Sequence, residues 1–253
     1  MKVSVSMVAK SCSRACFALI VLITVAGEGL SFSTHALAEN KEVHLKVGYF
    51  EFPPLIASQR GSIPTGELVD ITVQALDRAG INYSYHLLPI MRLYKNMQSG
   101  VTDLTATIKG QALYENNVLF GKKVLLSAEV RIYTIGDRDI PASADELLGK
   151  KIGLTRGYAY GGGYANLTAP RNMEFIEQAN STESSMAMLQ NGRVDFVLDY
   201  KHPVNVILEK SPVANLRYRT VKKFPIYLVI SKLTPNAQQI LNALEEHIIP
   251  ESE

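Results

Sequence analysis

Two segments that share one pattern, 92 residues apart, constrain the fold of this chain more than any other feature of its sequence. Residues 97–104 (MQSGVTDL) and 189–196 (LQNGRVDF) both read as an apolar residue, Gln, a small residue, Gly, two variable residues, Asp and an apolar residue. Each is typical of a helix that a glycine closes, followed by a buried strand. This repeat predicts two α/β lobes of roughly 90 residues each. The alternative is that the likeness is a coincidence, because helix–Gly–strand turns are common.

Strand and helix patterns alternate around both copies of this motif. The first half predicts strands at 44–50, 81–88 and 101–108 and helices at 67–79 and 90–99. The second half predicts strands at 150–157 and 173–179 and a helix that Asn180 and Glu183 open and that reaches Leu189. A helix that follows Pro235 and ends at Pro250 completes the chain. The alternation predicts the α/β class with a parallel sheet in each lobe.

Two extended stretches, 127–134 and 217–228, connect the predicted lobes without a low-complexity linker. They predict a hinge of two crossing strands. We expect residues 39–131 and 225–253 to form the first lobe and residues 132–224 the second. A cleft between two lobes on a paired hinge is where small ligands usually bind and where closure occurs.

The N-terminal segment has the composition of an export signal. Its first 14 residues carry Lys2, Lys10 and Arg14 and no acid, and an uncharged apolar run of 12 residues follows from Ala15. Small residues flank Leu37 in an A-x-A site, so we predict a secretory signal peptide at 1–38, cleavage near Ala38 and a periplasmic location. The apolar run is short for a membrane span, which needs about 20 residues. The alternative is an uncleaved N-terminal anchor.

Without this signal, the chain has a different net charge and cysteine content. Residues 1–38 hold three basic and one acidic side chain, so the remainder has 23 of each and no net charge. This balance argues against nucleic acid as a partner. Both cysteines, Cys12 and Cys16, lie within the signal, which leaves no thiol for catalysis or metal binding. The histidines are scattered and no phosphate-binding loop is present, so we expect neither a metal nor a cofactor.

Five segments, taken in order and spacing, resemble the periplasmic solute-binding proteins of the polar-amino-acid type (family 3). They are VGYFEFPPL (47–55), GELVDI (66–71), LPIMRLYKNMQSGVTDL (88–104), ADELLGKKIGLTRGYAYG (144–161) and LQNGRVDFVLDY (189–200). The resemblance implies the two-lobed type II periplasmic-binding-protein fold. It also implies a monomer without catalysis that closes on a small-molecule solute and delivers it to an inner-membrane ABC permease.

In the first lobe, the resemblance implies that Phe52 stacks on the ligand, with Tyr49 and Glu51 nearby; alternatively, Phe52 belongs to the core. An aromatic face suits a flat or aliphatic ligand body, or a cation. Thr107 and Lys109 fall where the family has ligand-facing hydroxyls.

Two basic side chains are candidates for binding an anionic group of the ligand. The family's carboxylate-binding arginine is replaced by Tyr114. Lys109 therefore either supplies the lost charge or is a solvated lysine. Arg92 either faces the cleft or pairs on a helix surface.

In the second lobe, the resemblance implies that the turn after 155 binds a carboxylate through backbone N–H groups. Gly157, Tyr158 and Tyr160 form this turn, whose alternative is a plain glycine turn. The family's ammonium-binding aspartate falls at Tyr200, and Asp199 comes one residue early. Because a one-residue shift on a strand reverses the side-chain direction, either a bulge returns Asp199 to the cleft or the ligand is not held by its ammonium.

The expected ligand is therefore a small polar solute, namely an amino acid or a related organic anion or amine. Two other functions stay open. One is a periplasmic sensor that passes ligand occupancy to a membrane partner. The other is an enzyme on the same scaffold, similar to the periplasmic dehydratases, for which Glu51 and Asp199 are the obvious carboxylates in the cleft.

Overall fold

The computed structural model describes residues 43–59 and 63–249 of the 253-residue chain. The predicted signal peptide and the predicted helix stop at Pro250 lie outside the described residues. Eleven strands and six α-helices follow one another in the described part. The strands are β1 (His44–Tyr49), β2 (Ala57–Gln59), β3 (Ile63–Thr65), β4 (Asn82–Leu87), β5 (Leu104–Thr107), β6 (Val118–Phe120), β7 (Leu126–Ile135), β8 (Ile152–Thr155), β9 (Ile176–Ala179), β10 (Phe196–Tyr200) and β11 (Leu216–Ser231). The helices are α1 (Glu67–Arg78), α2 (Ile90–Ser99), α3 (Gly163–Leu167), α4 (Thr182–Gln190), α5 (Lys201–Lys210) and α6 (Ala237–Glu246).

The strands run in the order β4–β1–β5–β11–β7–β10–β8–β9, with β6 also paired to β11. In what we call the first lobe, β1 is parallel to β4 and β5. In the second lobe, β8 is parallel to β9 and β10. Each lobe thus has the predicted parallel sheet, and the predicted α/β class is confirmed.

Two long antiparallel strands, β7 and β11, join the lobes. Their register runs from Leu216 opposite Ile135 to Ile226 opposite Leu126, with a bulge between Thr220 and Lys222. Beyond this pairing, β11 continues antiparallel to β5 in the first lobe, while β7 pairs with β10 in the second. The predicted hinge strands therefore exist and pair with each other. The lobe boundaries within them stay a prediction.

A cluster of charged side chains lies on the hinge strands. Arg131 Nε donates to Glu129 Oε1 at 2.6 Å, and both side chains are 10% exposed. The Thr220 hydroxyl donates to the same oxygen at 2.7 Å, and Lys201 Nζ lies 3.8 Å from Glu129 Oε2. The Arg131 guanidinium also lies 3.9 Å from the centroid of the Tyr218 ring. Burial raises the pKa of the Glu129 carboxyl, but these hydrogen bonds and the Arg131 and Lys201 charges outweigh burial and lower it.

The repeated sequence pattern has the predicted conformation in both lobes. Gly100 ends α2 with a φ of 71°, and Gly192 follows α4 with a φ of 67°. Glycine adopts this left-handed conformation without the Cβ clash that other residues incur. In both lobes the chain then turns into a buried strand, β5 or β10.

The structure also corrects the sequence predictions in detail. Ser181, not Asn180, caps α4, and its Oγ accepts the Ser184 N–H at 3.2 Å. The strand predicted to begin at residue 173 begins at Ile176, because a 3₁₀-helix covers Pro170–Phe175. The short β2–β3 hairpin, β6, α3 and α5 were not predicted.

Candidate functional site

A small apolar cavity lies between the lobes at the carboxyl ends of parallel strands. The first lobe contributes residues that follow β1 and β5, and the second contributes residues that follow β8 and end β10. The lining includes Phe50, Phe52, Thr107, Ile108, Tyr158 and Tyr200. Ligands of α/β sheets bind outside the carboxyl ends of strands, so this is the candidate site.

Aromatic rings from the two lobes meet across the cavity. The Phe52 ring lies 5.1 Å from that of Tyr200 and 5.8 Å from that of Tyr158, centroid to centroid, both edge to face. Tyr158 and Tyr200 are 5.1 Å apart in the same arrangement, and Tyr160 stacks on Tyr200 at 5.4 Å. The remaining space is about 30 Å³, far below the roughly 300 Å³ of a small ligand pocket. The lobes are therefore closed on each other, and their own rings fill the cleft.

Glycines allow the two backbones to approach closely beside this cluster. A Cβ on Gly110, which follows β5, would lie 2.5 Å from the Gly162 nitrogen and 2.6 Å from the Gly161 carbonyl carbon. A Cβ on Gly157 would lie 2.4 Å from the Ile90 side chain of α2. Gly157 therefore lies at the lobe interface as well as in the predicted turn.

Asp199 is completely buried behind the aromatic cluster. The Thr155 and Ser185 hydroxyls donate to its Oδ2 at 2.8 and 3.3 Å, and the Tyr200 N–H donates to its Oδ1 at 2.7 Å. Burial raises the pKa of this carboxyl to about 6, although the hydrogen bonds act in the opposite direction. Tyr200 lines the cavity and Asp199 does not, because neighbouring strand residues point to opposite faces.

The raised pKa predicts a pH-dependent stability. Because the folded pKa of Asp199 exceeds the unfolded value of 3.8, its contribution to stability is present below pH 3.8 and is lost as pH rises through about 6. We expect the wild type to lose thermal stability between pH 4 and 7 relative to Asp199→Asn, measured as Tm against pH. The exposed Asp139→Asn is the matched control. Parallel wild-type and Asp199→Asn profiles would contradict this assignment.

A larger groove of about 510 Å³ opens beside the apolar cavity and shares Phe50, Ile90 and Tyr158 with it. Both lobes line it. Glu51 comes from the first lobe, and Arg156 and Glu183 come from the second. The Arg156 Nε donates to Gln178 Oε1 at 3.3 Å. The groove gives the cavity a route to solvent with charged side chains at its edge.

The structure brings six of the twelve predicted residues together around the cavity and its inner wall. These are Phe52, Thr107, Gly157, Tyr158, Tyr160 and Tyr200. Glu51 lies in the adjacent groove. Their roles toward a ligand remain predictions.

The other predicted residues do not line the cavity; Asp199 is buried behind the aromatic cluster. Tyr49 is buried in β1, and Tyr114 stacks on Tyr94 with the ring centroids 4.9 Å apart. Arg92 is exposed on α2. The Lys109 ammonium lies 5.0 Å from the ring centroid of Tyr227 and 5.5 Å from that of Phe120, so it makes cation–π contacts outside the cavity.

Sequence reasoning missed several lining residues, notably Phe50, Ile90 and Tyr94. Ile90 and Tyr94 stand four residues apart on the apolar face of α2, a spacing that brings them to one side of the helix. The available signal was the position of α2 directly after a strand, which brings its first turn to the cleft.

Two negative findings concern the described residues only. No group of three or more His, Cys, Asp or Glu side chains in this part of the chain is placed to hold a metal ion. No helix there is long and apolar enough to cross a membrane.

Comparison of the structure with solved structures identifies the fold. It is similar to a histidine kinase sensor domain with similarity to periplasmic binding proteins, with a TM-score of 0.68 and 16% identity, covering 82% of this chain and 89% of that chain. It is similar to the arginine-bound form of truncated ArgBP from T. maritima, with a TM-score of 0.62 and 16% identity, covering 81% and 96%. The structure is also similar to an ABC uptake transporter substrate binding protein from Streptococcus pneumoniae with bound histidine. That match has a TM-score of 0.62 and 19% sequence identity, and it covers 81% of this chain and 85% of that chain.

No family model and no curated protein matches the sequence. At these identities the structural likeness establishes the fold. The two-lobed fold of periplasmic binding proteins, which the sequence resemblance implied, is therefore confirmed.

Proposed function

We propose that this protein binds a small polar solute between its lobes in the periplasm and delivers it to an inner-membrane ABC permease. The observation that carries the proposal is the cavity at the carboxyl ends of parallel strands from both lobes. A ligand in this cavity contacts both lobes only when they are closed. Binding therefore favours the closed state.

The hinge supports this proposal. Among the described strands, only β7 and β11 pass between the two parallel sheets, and a bulge between Thr220 and Lys222 interrupts their ladder. A bulge bends a strand locally and increases its twist. A change of angle at the hinge opens the cleft while both lobes keep their own sheets and cores.

The comparisons support solute binding, and they leave two routes for its use. ArgBP and the histidine-bound protein are binding proteins, which favours transport of amino acids or related ions. The histidine kinase sensor domain and the BvgS VFT2 domain from Bordetella pertussis favour sensing as the second candidate. Loss of solute uptake on deletion of the gene supports transport; loss of a transcriptional response with normal uptake supports sensing.

Binding without catalysis fits the carboxylates better than an enzyme does. A general acid or base must reach the reacting atom within hydrogen-bond distance. Asp199 has no exposed surface and its oxygens accept three internal hydrogen bonds. Glu51 lies in the groove, outside the apolar cavity. We therefore propose a receptor and not a dehydratase.

The test is a thermal-shift screen of the purified protein against amino acids, organic acids, amines and sugars. A solute that binds only the folded state raises its stability by mass action, by about 2.7 kcal/mol at a concentration 100 times Kd. We expect at least one solute to raise Tm, with the rise lost in Tyr158→Ala. If no class raises Tm, solute binding is wrong.

A further inference from the structure

We propose that the cleft selects a compact organic cation, an alkylated ammonium such as a quaternary amine. The inference rests on the proposed function, since it names the class of solute that the same cleft takes. It depends on the residues around the cavity, on the position of the charged side chains and on the hydrogen bonds of Asp199.

Five aromatic rings line the cavity. Phe50, Phe52, Tyr94, Tyr158 and Tyr200 all line it, from both lobes. The π faces of aromatic rings carry partial negative charge and attract a cation within about 6 Å. When the lobes open, the three rings that now contact each other edge to face become free to enclose a guest of similar size.

Among the residues that the structure describes, no lysine or arginine lines the apolar cavity. Arg131 pairs with Glu129, and Lys109 contacts two rings outside the cavity. Arg156 lines the adjacent groove and not the cavity, and its Nε donates to Gln178 there. An anion in this cavity would lose its hydration without gaining an opposite charge, at a cost of several kcal/mol.

Negative charge, in contrast, lies close to the rings. Asp199 is held by two hydroxyls and one backbone N–H, all neutral, and none of the ion pairs among the described residues includes it. Burial, followed by the Asp199 charge, raises the pKa of both Tyr158 and Tyr160. The Asp199 charge therefore acts on both tyrosines, which favours a cation over a carboxylate beside these rings.

A weakly hydrated cation fits these conditions best. The Asp199 oxygens have no contact with the cavity, so they attract a cation through space and not by a direct salt bridge. A primary ammonium would need hydrogen-bond acceptors, and among the lining residues the side chains of Thr107 and the tyrosines are the polar ones. An alkylated ammonium needs none and gains from apolar burial.

The test uses isosteric probes that differ in charge. Choline, its neutral carbon analogue 3,3-dimethylbutan-1-ol and the anion 3,3-dimethylbutanoate have nearly the same shape. We expect choline to bind about thirtyfold more tightly than the neutral alcohol, as judged by calorimetry. The anion should give no detectable binding.

Variants locate the site. Phe52→Leu removes a ring from the cavity, and we expect it to weaken choline binding about tenfold. Phe120→Leu is the matched control, because its ring contacts Lys109 and Tyr227 outside the cavity. It should leave choline binding unchanged.

Each contrary result overturns the inference. Equal binding of choline and the alcohol would show a cleft selective for apolar bodies. Tighter binding of the anion or of an α-amino acid would show recognition of a carboxylate. In both cases solute binding stands. If choline fails while the broad screen finds another solute, only the cation class is wrong; if the whole screen fails, the receptor function fails too.

Discussion

Replacement of Arg131 by leucine is expected to lower the free energy of unfolding by about 3–5 kcal/mol, measured by urea denaturation. The change leaves the Glu129 carboxylate in a site that is only 10% exposed, with Thr220 and the more distant Lys201 as partners. A charge without its ion-pair partner in such a site keeps its desolvation cost and loses most of its compensation. The stacking of Arg131 on Tyr218 is lost as well.

Two controls separate the charge pair from its surroundings. Arg193→Leu removes an exposed pair with Glu177, whose side chains are 59% and 40% exposed, and should cost less than about 1 kcal/mol. The double change Glu129→Leu with Arg131→Leu should recover most of the loss, because no buried charge remains. If Arg131→Leu lowers the free energy of unfolding no more than Arg193→Leu does, water screens the Arg131–Glu129 pair. The loss of a buried ion pair would then be the wrong interpretation.

Gly110→Ala is expected to prevent full closure of the lobes and to weaken ligand binding at least about tenfold. The new Cβ would lie 2.5 Å from the backbone nitrogen of Gly162 and 2.6 Å from the Gly161 carbonyl carbon. Backbone on the opposite side cannot turn away as a flexible side chain can. Small-angle scattering should show a larger radius of gyration than in the wild type.

The control for this substitution is Gly192→Ala. Gly110 and Gly192 both have positive φ, 103° and 67°, so alanine strains the backbone at each. No atom of the described part of the chain, apart from the adjoining residues, lies within 4 Å of the position that a Cβ on Gly192 would take. Gly192→Ala should lower stability without changing the radius of gyration or the affinity. An unchanged radius in Gly110→Ala would contradict closure at this contact.

The fold was largely predictable because its signals are local. Glycine stops, as at Gly100 and Gly192, and periodic apolar residues mark the helices and strands on which both lobes are built. The resemblance added the pairing of the two lobes. The elements that were missed are short, like β6 with three residues, or follow a strand with no turn residue between, like α5, which begins at Lys201 directly after β10.

The site was less predictable because side-chain direction depends on a single residue of register. Asp199 and Tyr200 are neighbours, yet one is sealed among hydroxyls and the other lines the cavity. Lys109, two residues beyond β5, turns toward Tyr227 of β11, a partner 118 positions away in the chain. Contacts of this kind arise from tertiary packing, which composition and spacing do not specify.

The position of β11 also determines the order in which this protein acquires its structure. Thr107 of β5 pairs with Tyr227, so β5 lacks this neighbour until residues 216–231 have been made. The same strand forms the flank of β7 in the second lobe. Long loops must close before either sheet is complete, which slows folding. A nascent chain that ends before residue 216 is therefore missing an edge from both sheets at once, and stable folding waits until β11 has been made.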